Sequence, residues 1–342
     1  MTTETTTPLD CAPPEPGQLV QLADDLYWMR FRLPFRLNHI NLYAFDTDAG
    51  WLLLDCGINA AETAAAWEAM LTGPLDGRSV AGIIVSHYHA DHVGYAGPLA
   101  NRTGAPVHIG AVELEQARWN LALNEASAGE IMAATYARFG LGDDTLARTR
   151  ATGNYYRKLS ADLPRDVITI DPAQPIHTRA GVWQLRFDSG HSPGQLSLFE
   201  QDRKLHICVD FLLPRISPNV SVPLRNSDAN MLGDYLVYLT DMAALGNDWL
   251  IIPGHDWPYF GGGIRARQLI AHHHARLDQL RDAAKTGPMT TLSAMDTLFP
   301  IELTDHELFF AVCEARAHLN HLVAIGDLSQ TNIAGIDYFS SR

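Results

Sequence analysis

Short apolar runs alternate with helical patterns over the first three quarters of the chain. The apolar runs are rich in β-branched and aromatic residues, which is typical of buried strands. They lie at residues 26–32, 40–45, 50–54, 80–86, 107–109, 167–170, 182–187, 195–199, 205–209 and 249–252. Helical patterns at residues 60–71 and 231–245 separate some of these runs. The alternation predicts a layered α/β fold.

Residues 112–159 contain no run of strand character and are rich in alanine. The pattern predicts two or three helices, for which two roles are open. The helices pack on a core, or they wall a pocket over a site, since long insertions are usually functional or disordered. Aromatic residues that would line such a pocket are Trp119, Tyr136, Phe139, Tyr155 and Tyr156.

The two ends of the chain differ from its middle. Residues 1–17 are rich in Thr, Pro and Glu and lack the basic and apolar regions of a signal peptide, which predicts a disordered tail and a cytoplasmic protein. After the glycine run at residues 261–263 the pattern is helical to about residue 328, with breaks near residues 287 and 300. We therefore place a main domain at 18–262 and a small helical domain at 263–342. The three consecutive histidines 272–274 are interpreted as a solvated helix face.

Composition limits the classes of partner that we expect for the protein. The 342 residues include 39 acidic and 25 basic side chains, for a net charge of −14, which argues against a nucleic-acid partner. No apolar run approaches the roughly 20 residues of a membrane span. The four cysteines are scattered and do not predict a disulfide framework. We expect a small-molecule substrate, no nucleic acid and no membrane, and the sequence leaves a homodimer open.

Histidines and aspartates follow directly after several of the predicted strands. The run GIIVSHYHADH occupies residues 82–92, and shorter motifs follow as FDSGH at 187–191, VD at 209–210 and PGHD at 253–256. Strand ends project such residues into the crevice at one edge of a sheet. Imidazole and carboxylate groups together suit zinc and related divalent ions. The sequence therefore predicts a metal site built from strand ends.

These motifs, in this order across about residues 20–262, resemble the metallo-β-lactamase-fold metallohydrolase superfamily, which includes the glyoxalase II-like hydrolases. The motif LDCG at residues 54–57 is a further match. The resemblance implies a four-layer αββα sandwich that holds two divalent metal ions, zinc being favoured over iron or manganese. The C-terminal segment is similar to the winged-helix-like domain of one branch of the superfamily.

The resemblance also implies which residues hold the two ions. The first ion would be held by His87, His89 and His191. The second would be held by Asp91, His92 and His255, and Asp210 would bridge both. Asp91 and Asp210 are accordingly the residues expected to be catalytic. Asp55 either orients one of the histidines or is simply a turn residue.

Departures from the superfamily pattern limit the reactions that we expect the protein to catalyse. An aspartate at position 210, with no lysine nearby, argues against a β-lactamase, and Leu213 stands where many lactonases have tyrosine. The net charge disfavours a phosphodiesterase or ribonuclease. We therefore expect hydrolysis of an ester or thioester in a small or medium substrate, by a hydroxide shared between the two ions. A lactonase, a phosphodiesterase and a non-catalytic sensing protein are the alternatives. The arginines 225, 265 and 267 either bind substrate carboxylates, as a glutathione thioesterase requires, or are ordinary surface residues.

Overall fold

The protein is described by a computed structural model that covers residues 5–342, except for the side chains of residues 305 and 306. The strands are β1 (Thr7–Pro8), β2 (Val20–Ala23), β3 (Leu26–Arg32), β4 (His39–Thr47), β5 (Gly50–Leu54), β6 (Val80–Val85), β7 (Val107–Ile109), β8 (Val167–Thr169), β9 (Ile176–His177), β10 (Val182–Asp188), β11 (Gln195–Glu200), β12 (Leu205–Val209), β13 (Leu250–Pro253), β14 (Tyr259–Phe260), β15 (Leu328–Ile333) and β16 (Ile336–Ser341).

The helices separate the strands into groups. They are α1 (Ala61–Leu71), α2 (Ala90–Val93), α3 (Ala96–Thr103), α4 (Ala111–Ala122), α5 (Glu125–Arg138), α6 (Asp143–Thr152), α7 (Tyr155–Leu159), α8 (Met231–Ala243), α9 (Gly262–Ala284), α10 (Thr291–Leu298) and α11 (Asp305–Ala324), with a short 3₁₀ turn at Leu224–Asn226. None of the helices among the described residues is long and apolar enough to cross a membrane.

Within the described residues, the strands form two seven-stranded sheets and a separate hairpin. The first sheet has the order β2-β3-β4-β5-β6-β7-β8, and its strands are parallel from β5 onward. The second has the order β1-β14-β13-β12-β11-β10-β9, in which only β12 and β13 run parallel. The predicted strands therefore exist, and each of their bounds agrees with the prediction to within two residues, with the largest difference at the end of β4.

Alternation along single strands shows how the sheets stack. On β4, Tyr43 and Phe45 face the core between the two sheets, whereas Leu42 and Ala44 face a second core that includes Trp67 of α1. Successive side chains of a strand point to opposite faces, so one strand lines two cores. The first sheet is therefore covered by helices on its outer face.

The second sheet repeats this arrangement. On β12, Ile207 and Val209 belong to the core between the sheets, and Cys208 belongs to a third core with Tyr235 of α8. Helix, sheet, sheet and helix thus form four layers. This confirms the αββα sandwich that the resemblance implied.

The N-terminal segment differs from its predicted disorder. Thr7–Pro8 pairs with β14, and the Leu9 amide donates to the Pro258 carbonyl at 2.8 Å. The unpaired edge of β14 offers backbone hydrogen bonds, which the composition of the segment does not reveal. The first four residues of the predicted tail lie outside the described residues.

The C-terminal segment consists of α9, α10, α11 and the hairpin β15–β16. The helical breaks lie where the sequence predicted them. The hairpin was not predicted, because its strands are short and mostly polar. Its two-residue turn has Ala334 at φ 51° and Gly335 at φ 89°, the left-handed pair that a tight hairpin requires. The helices with this hairpin form a winged-helix-like unit.

The helical insertion of residues 112–159 folds into α4–α7, one helix more than the largest number predicted. Tyr136 and Phe139 pack into the third core beside residues of the C-terminal helices. The hypothesis that these two aromatic rings line a pocket is therefore wrong. Tyr156, in contrast, donates its hydroxyl to the carbonyl of Tyr88, in the loop that follows β6. The insertion thus packs on a core through α5 and contacts the loop after β6 through α7.

Truncation of Tyr136 is expected to act on stability. Its ring is only 2% exposed, so Tyr136→Ala should lower the free energy of unfolding by about 3–5 kcal/mol, the usual cost of deleting a buried aromatic ring. The comparison variant is Tyr155→Ala, at a tyrosine that is 38% exposed, with an expected cost below about 1 kcal/mol. Urea unfolding followed by circular dichroism measures both. Equal losses would contradict the assignment of Tyr136 to the core.

Candidate metal centre

Four loops that each follow a strand meet at one edge of the two sheets. One follows β6 in the first sheet, carries His87 and His89, and leads directly into α2, which carries Asp91 and His92. The others follow β10, β12 and β13 in the second sheet and carry His191, Asp210 and His255. All seven residues that the sequence singled out as ligands lie at this edge, in groups of ligand atoms that are mutually close.

Three histidines form the first group. The Nε2 of His87 lies 3.0 Å from the Nδ1 of His89, which lies 2.9 Å from the Nε2 of His191. The group is largely enclosed, since His87 is fully buried and His191 is 9% exposed. Three imidazole nitrogens that converge in this way match a zinc site with one position left for water or substrate.

The second group combines one carboxylate with two histidines. The Oδ2 of Asp91 lies 3.7 Å from the Nε2 of His92 and 3.5 Å from the Nε2 of His255. The Oδ2 of Asp210 lies 3.3 Å from each of these nitrogens and 3.4 Å from the Nε2 of His191. A single oxygen of Asp210 therefore lies between the two groups.

Two buried polar atoms in this centre have no hydrogen-bond partner. They are the Nε2 of His92 and the Oδ1 of Asp210. A buried polar atom without a partner costs about 1–3 kcal/mol, so the centre is incomplete with protein atoms alone. Imidazole nitrogen and carboxylate oxygen are the ligands that zinc takes, and the donor set fits a pair of divalent ions.

Burial and neighbouring charges shift the pKa values of the histidines in opposite directions. Burial and the adjacent imidazoles lower the pKa of His87 and of His89 well below the usual range, which leaves both neutral. Burial would also lower the pKa of His92 and of His255, but the nearby carboxylates, that of Asp210 above all, outweigh the effect of burial. The pKa values of both histidines are therefore raised. The same two histidines outweigh the effect of burial on Asp210, so its pKa is well below the usual range. Imidazole binds a metal ion in its neutral form, so a proton held by His92 or His255 would be released when an ion binds.

The second ring nitrogen of several histidines has a defined partner. The partners of Nδ1 are the Ser86 Oγ at 3.0 Å for His87, the Asn219 carbonyl at 2.8 Å for His191 and the His39 carbonyl at 2.8 Å for His255. A carbonyl accepts only from N–H, so Nδ1 of His191 and of His255 carries hydrogen, and Nε2 is the nitrogen left to bind an ion. Partners of this kind orient ligating histidines in metal sites.

Asp55 holds the fourth of these histidines. Its Oδ2 accepts from the Nδ1 of His92 at 2.8 Å and from the Ser86 hydroxyl at 2.8 Å, while its Oδ1 accepts from the Ser86 amide at 2.7 Å. The expectation that Asp55 orients a histidine is thereby confirmed. It is also a turn residue, with φ 65°, so both interpretations of the sequence apply.

The backbone around Asp210 is tightly constrained. A Cβ atom on Gly254 would lie 2.3 Å from the Asp210 Oδ1, so only glycine fits beside this carboxylate. Val209 has φ 47°, which is uncommon for a β-branched residue and costs of order 1–3 kcal/mol. Such strain occurs at functional sites, where the surrounding structure holds one side chain in a required position.

Some residues of the centre were not found from the sequence. His39 and Asn219 contribute backbone carbonyls, which leave no side-chain signal. Glu113 contributes a buried carboxylate, and its only local signal is an acidic residue in the first turn of a helix. Each of the three is brought to the centre by the tertiary structure from a distant part of the chain.

The interpretation of residues 272–274 as a solvated helix face is wrong for His273, which is fully buried. Helix α9 packs on α8 and α11, and that packing turns this position inward. The Nδ1 of His273 lies 3.2 Å from the Nε2 of His318, whose Nδ1 donates to the Glu314 carbonyl. The carboxylate of Glu314 pairs with Arg276. This cluster is therefore a largely satisfied hydrogen-bond network within the helical core.

The matches to known protein families divide the chain into a main domain and a C-terminal domain, as the fold does. A family model described as "Metallo-beta-lactamase superfamily" matches residues 36–255. A second, described as "Metallo-beta-lactamase-like, C-terminal domain", matches residues 277–342. The curated protein "Probable metallo-hydrolase YqjP" of Bacillus subtilis (strain 168) is 22% identical over 307 residues, which cover 88% of this chain and 93% of the relative.

Solved structures are similar over nearly the whole chain. A β-lactamase domain protein from Burkholderia ambifaria is 31% identical, with a TM-score of 0.89 and 98% of both chains covered. A metallo-β-lactamase family protein from Thermus thermophilus shares the fold, with 24% identity, a TM-score of 0.78, and coverage of 94% of this chain and all of that one. With these matches and the geometry of its strand ends, the chain belongs to the metallo-β-lactamase superfamily.

Proposed function

We propose that this protein is a binuclear metal-dependent hydrolase that cleaves an ester or thioester bond in a small or medium substrate. The observation that carries the proposal is the position of the Asp210 Oδ2, 3.3–3.4 Å from the Nε2 atoms of His92, His191 and His255. These nitrogens belong to both ligand groups. A carboxylate shared in this way is what a two-metal hydrolytic site requires.

In the proposed site the first ion is held by His87, His89 and His191. The second is held by Asp91, His92 and His255, and Asp210 is shared. When bound, two divalent ions, with zinc favoured over iron and manganese, supply Lewis acidity and a water whose pKa is lowered to near neutrality.

The two aspartates have different surroundings and, we propose, different roles. The Asp210 side chain is 7% exposed and held among imidazoles, so its role is to keep the two ligand groups at a fixed separation. The Asp91 side chain is 23% exposed, so substrate and solvent can reach its carboxylate. Asp91 is therefore the aspartate placed to orient a bound substrate and to hold a proton during turnover.

The surroundings favour an uncharged or weakly charged substrate. Arg265 donates to the carbonyls of Leu213 and Ile216, Arg225 pairs with Glu115, and Arg267 donates to a backbone carbonyl. These arginines serve the fold, which weakens the case for a glutathione thioester. Leu213 is a buried apolar side chain, so this position offers no hydroxyl group to a lactone substrate. The net charge of −14 also disfavours polyanionic substrates.

The loop after β12, whose Asn219 carbonyl accepts from His191, is hydrogen-bonded to α11, and this contact favours a substrate of limited size. The Val222 amide donates to the Cys313 carbonyl at 3.3 Å, and the Ser221 hydroxyl donates to the Phe310 carbonyl at 3.4 Å. Helix α11 therefore lies beside one of the metal-binding loops. On the other side, Tyr156 and Tyr88 contribute aromatic surface next to His89.

Metal content is the first test of the proposal. Protein expressed with added zinc, iron or manganese should contain about two equivalents per chain by elemental analysis, because two groups of ligands share one carboxylate. A panel of thioesters, lactones and phosphodiesters then identifies the bond that is cleaved. Metal-free protein that gains no activity with any added ion would overturn the proposal. Hydrolysis confined to lactones or phosphodiesters would overturn its substrate class, and bound metal without any hydrolysis would indicate a sensing protein.

A further inference from the structure

A buried carboxylate outside the proposed ligand set connects two of the metal-binding loops. Glu113 lies in the first turn of α4 and is fully buried. Its Oε2 accepts from the Tyr88 amide at 2.8 Å. Its Oε1 accepts from the Ser192 hydroxyl at 2.8 Å and from the Gly194 amide at 2.6 Å. One side chain thus binds the loop after β6 and the loop after β10 together.

The three donors lie next to all three histidines of the first group. Tyr88 stands between His87 and His89 in the chain, and Ser192 directly follows His191. The two loops come from different sheets, and their sequence separation is about one hundred residues. A change in the distance between these loops would move His191 relative to His89, and a metal site tolerates only small changes in ligand position.

No lysine or arginine pairs with the Glu113 carboxylate. Within the described part of the chain, its hydrogen-bond partners are two amides and a hydroxyl, and the imidazole of His191 is the basic group that acts on it. Burial raises the pKa of the carboxyl, and the three donated hydrogen bonds act against that rise because they favour the ionised form. A buried charge held only by neutral dipoles is costly, and a cation in the adjacent histidine group would offset that cost. In the second group the corresponding carboxylate acts directly on a ligand, since Asp55 accepts from the Nδ1 of His92.

Two glycines allow α4 to come this close. A Cβ on Gly110, which caps the helix, would lie 2.6 Å from a ring carbon of Phe187 at the end of β10. A Cβ on Gly194 would lie 3.2 Å from the Cβ of Val112. The N-terminus of the helix is therefore seated directly against the His191 loop.

From these contacts we propose that Glu113 is a positioning residue, which holds the loops of His87–His89 and His191 at the separation needed for the first metal ion. The inference rests on the proposed function, because it assigns a role toward an ion in that site. Glu113 touches neither the proposed ion nor the substrate and acts through the backbone of its neighbours. Partners of this kind typically change metal affinity by about 10–100-fold when removed.

The test is Glu113→Gln, with Glu115→Gln as the matched control. Glutamine keeps the shape of the side chain but presents an amide NH₂ to one of the donors, which breaks at least one hydrogen bond. Glu115 lies on the same helix, loses the same charge and is 65% exposed in its surface pair with Arg225. Zinc affinity is measured by competition with a chelator, cobalt substitution reports the ligand geometry by visible absorption, and circular dichroism confirms folding.

We expect E113Q to bind the first equivalent of zinc about 10–100-fold more weakly, with an altered cobalt spectrum, while E115Q matches the unmodified protein. Folded E113Q with unchanged affinity and cobalt spectrum would overturn the inference. Should E113Q fail to fold, Ser192→Ala removes a single hydrogen bond, and unchanged zinc affinity in S192A would overturn it equally. If the unmodified protein binds no metal, the proposed function itself fails, a result distinct from either outcome.

Discussion

Replacement of Asp210 by alanine is expected to lower kcat/KM by about 10³-fold or more, equivalent to at least about 4 kcal/mol of transition-state stabilisation. The Oδ2 of Asp210 is the atom shared between the two ligand groups. Without it, each group has one ligand fewer and should bind a metal ion more weakly. Metal content should fall below two equivalents for the same reason. Steady-state kinetics on the best substrate of the panel and elemental analysis measure the two effects.

The fold should survive this change. The side-chain contacts of Asp210 are with the imidazoles of His92, His191 and His255, so alanine leaves the strand pairing and the hydrophobic cores in place. Asp241→Asn is the matched control, since Asp241 is exposed and pairs with Arg186 away from the centre. D241N should keep full activity. Near-normal turnover by folded D210A would contradict the prediction. It would mean that the reaction needs only one metal ion, or that Asp210 is not a metal ligand.

Replacement of Arg316 by alanine should produce a large loss of stability in the C-terminal helices. Arg316 is fully buried, and its guanidinium donates to Asp337 at 2.7 Å, to Asp228 at 2.5 Å and to Asn320 at 2.8 Å. Its guanidinium carbon also lies 5.0 Å from the ring centre of Phe139. Removing one partner of a buried ion pair typically costs about 3–5 kcal/mol, because the other charge stays buried.

The cost should be visible in urea unfolding monitored by circular dichroism. Arg281→Ala is the control, because Arg281 pairs with Asp278 and Asp327 at the surface of the same helical unit. Exposed pairs contribute about 0–1 kcal/mol, so R281A should unfold close to the unmodified protein. A loss below about 1 kcal/mol for R316A would show that Arg138, which also pairs with Asp337, suffices for that carboxylate.

The sequence predicted most of the strands because their local pattern and their tertiary environment agree. The strand at residues 205–209 is apolar apart from His206, and it is buried on both faces between two cores. The strand pairs that were missed lack this agreement. Thr7–Pro8 and the polar hairpin β15–β16 depend on a partner strand for their structure rather than on their own apolar pattern.

The helical insertion shows where local pattern is not sufficient. Its helices were predicted, but the aromatic residues on them divide between two environments. Tyr136 faces the C-terminal core and Tyr156 faces the loop of Tyr88. A helical period indicates which residues share a face, but it does not indicate which other element that face meets.

By itself, the sequence determined the α/β class and the four strand ends that carry histidine and aspartate, because each of these features is encoded by side chains within a few residues of one another. The resemblance to the superfamily then implied the αββα sandwich, the seven proposed ligands and their two groups. Only the tertiary structure decided how the ligands are supported. The carbonyls of His39 and Asn219, the carboxylate of Glu113 and the burial of His273 all depend on contacts between distant segments. Such contacts are set by the packing of sheets and helices, and no local pattern of residues specifies them.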